Sequence, residues 1–537
     1  MKIHRLLPLW GLLVAAWLLP ACHQQYSTET VVQSEVEAMP LVPDDAMAAP
    51  TPATPDASRE GYAIIHENPF LAAARNPLST FAIDVDRASY ANVRRFLTQN
   101  RQLPPPDAVR LEELVNYFSY SYPQPRTGPA SLQAEVATCP WNPAHQLVLV
   151  GVQGKQVPVE HLPPANLVFL LDVSGSMNEP QKLPLLKESL RQLVRESLRP
   201  QDYVAVVVYA GAAGVVLPPT SGAEPEAILR ALDGLEAGGS TAGGEGLRLA
   251  YQLAQQHQRP GTNTRIILAT DGDFNVGEQS AADLERLIVQ ERESGVFLSV
   301  LGFGAGNLQD HTMELLADKG NGNYAYIDQL QEARRVLVQQ FGGTLFTLAK
   351  DVKVQVEFNP ALVREYRLLG YENRLLAAED FNDDRKDAGE LGAGQQVTAL
   401  YEVVPVAAPA ASPASVDPLK YQASQPTPAA TNSQELLTVK LRYQEPAGSA
   451  SQLLTLPVRS VRFDEPIARA SDNLRWAAAV AQFGLLLRKS PYAGTATWAS
   501  TAALAQSSAS PDPDGARTEF QTLVQQAMEL DQETASR

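Results

Sequence analysis

The sequence predicts an α/β protein built around a doubly wound, mainly parallel sheet, with an α+β region before this sheet and a β-rich region after it. Between residues 166 and 341, short unbroken apolar runs alternate with amphipathic stretches of helical periodicity. Unbroken apolar strands are typical of a parallel sheet whose two faces are both covered by helices. After residue 348 this pattern ends, and the apolar runs become those of an antiparallel sheet.

The elements of the predicted α/β domain, which spans residues 165–345, follow from these apolar runs. Strands are predicted at 167–171, 203–209, 265–270 and 296–302. Helices are predicted at 182–198, 224–235, 245–257, 281–293, 309–317 and 329–341.

Two flanking regions are predicted on either side of this domain. The N-terminal region, 59–160, has strands at 79–85 and 147–153 and helices at 87–100 and 109–118. The C-terminal region, 348–537, has strands of an antiparallel sheet at 352–358, 397–404, 435–442 and 451–458, a flexible Ala/Pro/Ser-rich insertion at 406–433, and helices at 473–487 and 518–530. Neither region has an obvious complete sheet of its own, so we expect the two to pack together beside the α/β domain.

The first residues resemble a bacterial lipoprotein signal, predicted at 1–22. A short basic start is followed by an apolar run at 6–21 that is too short for a stable membrane span. The run ends in Leu19–Cys22, which resembles a lipobox and implies cleavage before Cys22 and lipidation of its thiol. The alternative is an ordinary secretory signal with an incidental cysteine. His23 provides no acidic retention signal, which favours the outer membrane, and residues 23–58 have the composition of a disordered tether.

Charge and cysteine content exclude other classes of protein. The net charge of −17 argues against nucleic acid as a partner, because no broad basic face can form. If Cys22 carries lipid, Cys139 is the one cysteine left and no intrachain disulfide can form. We expect Cys139 to be a small buried apolar residue rather than a catalytic thiol, since no histidine is clearly placed to serve it.

Oxygen donors follow three of the predicted connections. Asp172, Ser174 and Ser176 come directly after the first strand, Thr241 lies in a glycine-rich loop, and Asp271 follows the strand 265–270. The carboxyl ends of parallel strands meet at one edge of the sheet, so these side chains are expected to converge. Two carboxylates and three hydroxyls are hard ligands suited to Mg²⁺, Mn²⁺ or Ca²⁺.

These five residues resemble the metal-ion-dependent adhesion site of the von Willebrand factor type A (VWA) family, in which Asp-x-Ser-x-Ser is joined by a distant Thr and a distant Asp. The flanks resemble a bacterial subfamily of VWA lipoproteins at Asn68–Phe70, Ile83–Asp86 and Gly370–Arg374. The resemblance implies that the metal leaves a coordination position for an Asp or Glu carboxylate of a protein partner. It therefore implies a binding protein of the cell envelope rather than an enzyme.

Several alternatives stay open beside this interpretation. The five residues can be helix caps, the metal can serve only to stabilise the fold, or the site can belong to a metal-dependent hydrolase. No catalytic triad is apparent, because the two histidines of the α/β domain, His257 and His311, lie beside no motif.

Two further acidic stretches resemble metal-binding motifs in part. Asp84–Ser89 is expected to cap a helix. Asp380–Asp384 resembles the start of a calcium loop, but Arg385 stands where that loop needs glycine and Leu391 where it needs glutamate, so we expect a solvated acidic turn.

Overall fold

The computed structural model describes residues 60–84, 86–239, 243–272, 281–340, 343, 346–386, 388–408, 426–446, 448, 450–459 and 465–536. The predicted signal peptide, Cys22, the tether, Thr241 and most of the insertion 406–433 lie outside these residues. Within them, no helix has both the length and the apolar character needed to cross a membrane.

The N-terminal segment contributes strands and helices in alternation. They are β1 (Leu71–Ala72), β2 (Leu78–Ala82), α1 (Ala88–Thr98), α2 (Leu111–Asn116), β3 (Ala130–Thr138) and β4 (Gln146–Gly154).

The middle of the chain forms the α/β domain. Its strands are β5 (Ala165–Asp172), β6 (Tyr203–Tyr209), β7 (Ala213–Ser221), β8 (Asn263–Thr270), β9 (Val296–Phe303) and β10 (Tyr324–Ile327). Its helices are α3 (Leu183–Glu196), α4 (Pro225–Asp233), α5 (Gly243–His257), α6 (Ala281–Arg292), α7 (Asp310–Lys319) and α8 (Leu330–Arg334).

The C-terminal segment contributes mainly strands and then helices. They are β11 (Thr347–Phe358), β12 (Val363–Leu369), β13 (Leu375–Leu376), β14 (Leu391–Gly392), β15 (Gln396–Pro405), α9 (Pro428–Asn432), β16 (Glu435–Gln444), β17 (Ser451–Arg459), α10 (Asp472–Leu487), α11 (Trp498–Gln506) and α12 (Ala516–Ala535).

The central sheet confirms the fold class predicted from the sequence. Its strand order is β10-β9-β8-β5-β6-β7, with β7 antiparallel to β6 and the other neighbours parallel. Successive residues of β5 enter different cores: Leu167 and Phe169 pack on one face, and Val168 and Leu170 on the other. Both faces are therefore covered, which explains the unbroken apolar sequence of this strand.

The two flanking segments share their sheets. One antiparallel sheet has the order β1-β12-β15-β4-β3 and the other has the order β13-β2-β11-β16-β17, so each contains strands from both segments. The expectation that the flanks pack together is confirmed. The expected single C-terminal sheet is wrong, because β15 pairs with β4 while β11 pairs with β2. Strand partners so distant in sequence leave no local signal of pairing.

Strand β4 contributes side chains to both hydrophobic cores that the two flanking segments form together. Val148 and Val150 pack between the two antiparallel sheets, while Leu147 and Leu149 face a helical layer that includes α2, α10 and α12. Within that layer the rings of Trp476 and Phe520 meet edge to face, with centroids 5.2 Å apart.

The acidic stretch before α1 does not cap that helix, which corrects the expectation from the sequence. The first residue before the helix is Arg87, with no side-chain cap, and the N–H of Ser89 donates to Glu113 Oε2 at 2.8 Å. Asp86 is buried instead, where it accepts from the N–H of Tyr324 at 2.7 Å and pairs with Arg374 at 3.3 Å. This carboxylate thus joins the α/β domain to both flanking segments.

Candidate metal site

The candidate site lies where the strand order of the central sheet reverses. From β5 the chain proceeds outward through β6 and β7, and from β8 it proceeds outward in the other direction through β9 and β10. Asp172 ends β5, and Asp271 directly follows the neighbouring parallel strand β8. Such a topological switch point opens a crevice at the carboxyl ends of the strands, and both carboxylates lie at that point.

Asp172 is completely buried and held by donors from three elements. Its Oδ1 accepts from the N–H of Ser174 at 2.9 Å, and its Oδ2 accepts from the hydroxyls of Tyr209 at 3.2 Å and Thr270 at 3.3 Å. Burial raises the pKa of Asp172 above its ordinary value, and the hydrogen bonds from Ser174 oppose that rise. Burial thus disfavours the charged form of this carboxyl, and a bound cation would favour it.

The serine hydroxyls lie beside this carboxylate. The Oγ atoms of Ser174 and Ser176 are 3.0 Å apart, with Ser174 buried and Ser176 exposed. The glycine-rich loop lies against the same turn, because the N–H of Gly238 donates to the carbonyl of Val173 at 2.7 Å. Thr241, the fifth predicted ligand, follows in this loop and lies outside the described residues.

Asp271 is completely buried and faces a cation of the chain itself. The Nζ of Lys182, a residue only 3% exposed, lies 3.1 Å from Asp271 Oδ2 and 3.1 Å from the carbonyl oxygen of Ser176. Burial alone would raise the pKa of Asp271, but hydrogen bonds from Asn307, Ser176 and Lys182 hold it below its ordinary value. Asp271 is therefore kept as a carboxylate.

The turn that follows Asp271 requires a residue without a side chain. Gly272 has a φ of +99°, and a Cβ there would lie 2.6 Å from the backbone nitrogen of Gln309. This close approach brings the loop before α7, which carries Asn307, against the candidate site.

Sequence reasoning missed the side chains that support these ligands. Tyr209 and Thr270 are the last residues of their strands, and Asn307 belongs to a loop without a motif. Lys182 precedes α3, where a lysine ordinarily indicates a solvated helix start. The one available signal was position, since Thr270 immediately precedes Asp271.

The residues that the structure brings together fit a hard divalent cation. Two buried carboxylates and two hydroxyls meet at one edge of the sheet, and the exposed Ser176 gives access from solvent. All are oxygen donors, as Mg²⁺ and Ca²⁺ prefer. Lys182 already places a positive charge at Asp271, as expected where two carboxylates lie in one crevice.

The other sequence candidates have structural roles. Asp383 and Asp384 pair with Arg385 and Arg442 at 2.9 Å each, as expected of an acidic turn at the surface. Cys139 is buried in the helical core and free, as expected.

Comparisons with known proteins cover nearly the whole chain. The family described as von Willebrand factor type A domain matches residues 166–340, the family von Willebrand factor matches 56–149, and the family Uncharacterized protein YfbK, C-terminal matches 343–530. VWA domains generally bind a divalent metal at the adhesion site, and their presence indicates a role in protein interaction.

Individual proteins also resemble this chain. Uncharacterized protein YfbK of Escherichia coli (strain K12) is 44% identical over 513 residues, which make up 94% of this chain and 87% of that protein. Uncharacterized protein sll0103 of Synechocystis sp. is 30% identical over 178 residues, or 33% of this chain and 41% of that protein. The structure of a von Willebrand factor type A protein from Catenulispora acidiphila is 18% identical, with a TM-score of 0.41, and the match covers 75% of this chain and 99% of that one. The chain belongs to the YfbK family of bacterial VWA-domain proteins.

Proposed function

We propose that the protein binds a partner protein through a divalent metal ion held by Asp172, Ser174, Ser176, Thr241 and Asp271. The observation that carries this proposal is the placement of Asp172 and Asp271, both completely buried, on the two sides of the switch point. Burying two nearby carboxylates without a bound metal ion costs free energy, and Lys182 compensates only Asp271. Mg²⁺ is the ion proposed, with Mn²⁺ and Ca²⁺ as alternatives of the same ligand preference.

The partner is proposed to offer an Asp or Glu carboxylate. Mg²⁺ readily keeps water ligands, and an outside carboxylate can replace one of them. The exposed hydroxyl of Ser176 marks the side of the site that faces solvent, so this is the side from which a partner approaches.

The protein is further proposed to act in the cell envelope as a lipoprotein anchored through Cys22, with the outer membrane favoured. Support for this comes from the apolar run and the lipobox-like residues Leu19–Cys22. The acidic charge of −17 suits a body held off an anionic membrane by its tether.

No enzymatic activity is proposed. Tyr209, Thr270 and the N–H of Ser174 all donate to Asp172, which suits a ligand that is held in place. A hydrolase would need a general base beside the metal, and among the described residues the neighbouring Lys182 is already paired with Asp271.

Calorimetric titration of the full chain with Mg²⁺ and Mn²⁺ tests the metal, and capture of envelope proteins with Mg²⁺ or with EDTA tests the partner. We expect binding in the millimolar range or tighter and partner capture that is lost in EDTA. If the metal only stabilises the fold, its removal by EDTA would lower the melting temperature and leave partner capture unchanged. Absence of metal binding would overturn the proposal.

A further inference from the structure

A second candidate site lies away from the strand-end crevice, in a cavity of about 340 Å³. Its walls come from β8, β9 and β10 of the central sheet, from the turn after α8, and from the flanking segments around Phe118 and Gly394. This volume lies at the lower end of the range for small-molecule pockets, about 300–1,000 Å³.

Arg265 of β8 contributes a buried cation to this cavity. It is 3% exposed, its Nη1 donates to Ser299 Oγ at 2.7 Å, and its guanidinium lies 5.5 Å from the centroid of Phe297. Within the described part of the chain, its Nε has no hydrogen-bond partner, and no carboxylate lies within ion-pair distance of it. Burial lowers the pKa of Arg265 to about 10, opposed only by the more distant Glu390.

Arg87, at the start of α1, lines the same cavity and is half-buried. No hydrogen bond or ion pair joins its side chain to the residues that the structure describes. Burial, together with repulsion from Arg335, lowers the pKa of Arg87 to about 10, although attraction from Glu332 opposes this shift.

Neighbouring arginines are paired, which sets Arg87 and Arg265 apart. Each of the following ion pairs has a largely buried arginine: Arg94–Asp328, Arg95–Glu60, Arg110–Asp310 and Arg335–Asp514. Buried guanidinium groups ordinarily need such partners because an uncompensated charge is costly. Among the described residues, Arg87 and Arg265 form no such ion pair, and the carboxylates that attract them, Glu332 and Glu390, lie beyond ion-pair distance. This points to an anion from outside the chain.

The rest of the cavity wall indicates the chemistry of the remaining part of such a ligand. Apolar side chains line it: Phe118, Ile267, Leu301, Ala325, Val336 and Leu337. Ser119, Gln156 and Gln339 also line the cavity and are exposed, so it opens to solvent between them. The acid in this wall is Asp86, whose carboxylate is already held by Tyr324 N–H and Arg374.

An adjoining cavity of about 330 Å³ also touches Arg265 but has a different chemistry. Asp84, Asp318 and Glu390 line it, and these carboxylates disfavour an anion there. The cavity shared by Arg87 and Arg265 is the one that fits.

We propose that this cavity binds a small amphipathic anion, whose acidic group is held by Arg87 and Arg265 and whose apolar body packs against the wall around Phe118 and Leu301. The proposal does not depend on the metal site. Nonanoate and octyl phosphate represent the two acidic head groups, carboxylate and phosphate, and 1-octanol is the neutral probe with the same eight-carbon chain.

The test is calorimetric titration of the full chain with these three probes in the presence of EDTA. We expect nonanoate or octyl phosphate to bind about tenfold or more tightly than 1-octanol, and the tighter of the two identifies the head group. Arg265→Gln and Arg87→Gln are each expected to weaken that binding about tenfold. Arg286→Gln on α6, whose side chain is 75% exposed, is the matched control and should bind as the unchanged protein does.

A second pair of measurements separates loss of the site from loss of the fold. Thermal unfolding is recorded for each variant, and Ser119→Trp is added because it is expected to narrow the opening of the cavity while both arginines are kept. Weakened binding in both the folded Arg87→Gln and the folded Ser119→Trp protein supports the site. Absence of binding by both anions, equal binding of 1-octanol, or unchanged binding by folded Arg87→Gln overturns it.

Discussion

The ammonium of Lys182 lies 3.1 Å from the carboxylate oxygen Oδ2 of Asp271, and both side chains are buried almost completely. The carbonyl of Ser176 fixes the same ammonium from a second side, at 3.1 Å. A cation of the chain therefore lies beside two of the proposed metal ligands. If the proposed ion binds here, we expect its affinity to depend on how well it competes with Lys182 for Asp271.

We expect Lys182→Met to raise the affinity for Mg²⁺ and to make the fold depend on it. Without the ammonium, Asp271 is a buried, less compensated carboxylate, so the melting temperature in EDTA falls, while added Mg²⁺ binds without a competing charge. Thermal unfolding with EDTA and with rising Mg²⁺ measures both effects. Lys187→Met on α3, which removes an ammonium bound only to backbone carbonyls, is the control. A Mg²⁺-induced shift no larger than that of the unchanged protein would contradict the competition.

Asp271→Ala is expected to abolish Mg²⁺ binding and partner capture. It also removes the closer carboxylate partner of the buried Lys182 and leaves, among the described carboxylates, only the exposed Glu179, 3.7 Å away, so we expect a cost of roughly 3–5 kcal/mol of unfolding free energy. The double variant Asp271→Ala/Lys182→Met should recover most of that stability, but not metal binding, because neither charge remains. Urea unfolding and calorimetry measure the two quantities. Asp283→Asn, on the exposed part of α6, is the control, and metal binding that survives in Asp271→Ala would place the ion elsewhere.

Glu112 predicts a pH dependence of stability. Burial, with a smaller contribution from Glu372, raises the pKa of Glu112 from 4.5 to about 7. The unfolded chain then releases this proton at lower pH than the folded chain, so stability falls as the pH rises from 4.5 through about 7.

Glu112→Gln keeps the uncharged shape and should remove this loss. At pH 8 we expect the free energy of unfolding of the variant, measured by urea denaturation, to exceed that of the unchanged protein by about 1–3 kcal/mol. Near pH 4.5 we expect no such gain. Glu226→Gln at the exposed start of α4 is the control. An equal difference at both pH values would refute the assignment.

Arg374 compensates several carboxylates that come from different parts of the chain. It pairs with Asp86 at 3.3 Å, with Glu314 at 3.4 Å and with Asp318. Arg374→Met should cost roughly 3–5 kcal/mol, since it leaves buried carboxylates uncompensated. Chemical denaturation measures this, with Arg385→Met, whose side chain is 90% exposed, as the control. A cost below about 1 kcal/mol, as for surface pairs, would be inconsistent with this role.

Cys22→Ser tests the anchor. If the thiol carries lipid, the variant is released in soluble form or remains unprocessed, while the unchanged protein fractionates with membranes. Metabolic labelling with a fatty acid and membrane fractionation measure this. Cys139→Ser removes the other cysteine and should leave labelling unchanged. Label retained by Cys22→Ser would rule out the lipoprotein.

The α/β domain was predictable because its signals are local. The unbroken apolar run of β5 and the acidic residue at its end stand next to each other in sequence, and parallel sheets place such ends together. Four of the five predicted ligands are described, and they lie at the expected edge of the sheet.

The parts that were not predicted depend on distant partners. Strand β7 follows β6 after a tight connection and pairs antiparallel, against the pattern of the domain. The mixed sheets join β2 to β11 and β4 to β15, pairings that one sequence cannot reveal because either strand would fit several neighbours. The buried position of Lys182 is likewise set by tertiary packing.

The mixed origin of the antiparallel sheets determines the order in which the protein can fold as it leaves the ribosome. Strands β2 and β4 are synthesised early, yet β11 and β15, which lie beside them, emerge only after the entire α/β domain. Strand β4 can pair with β3 as soon as it is made, but its other edge, which β15 covers in the finished protein, must wait for the C-terminal segment. A nascent chain therefore carries an open, apolar strand edge while the whole α/β domain is synthesised, and an exposed edge of this kind favours aggregation.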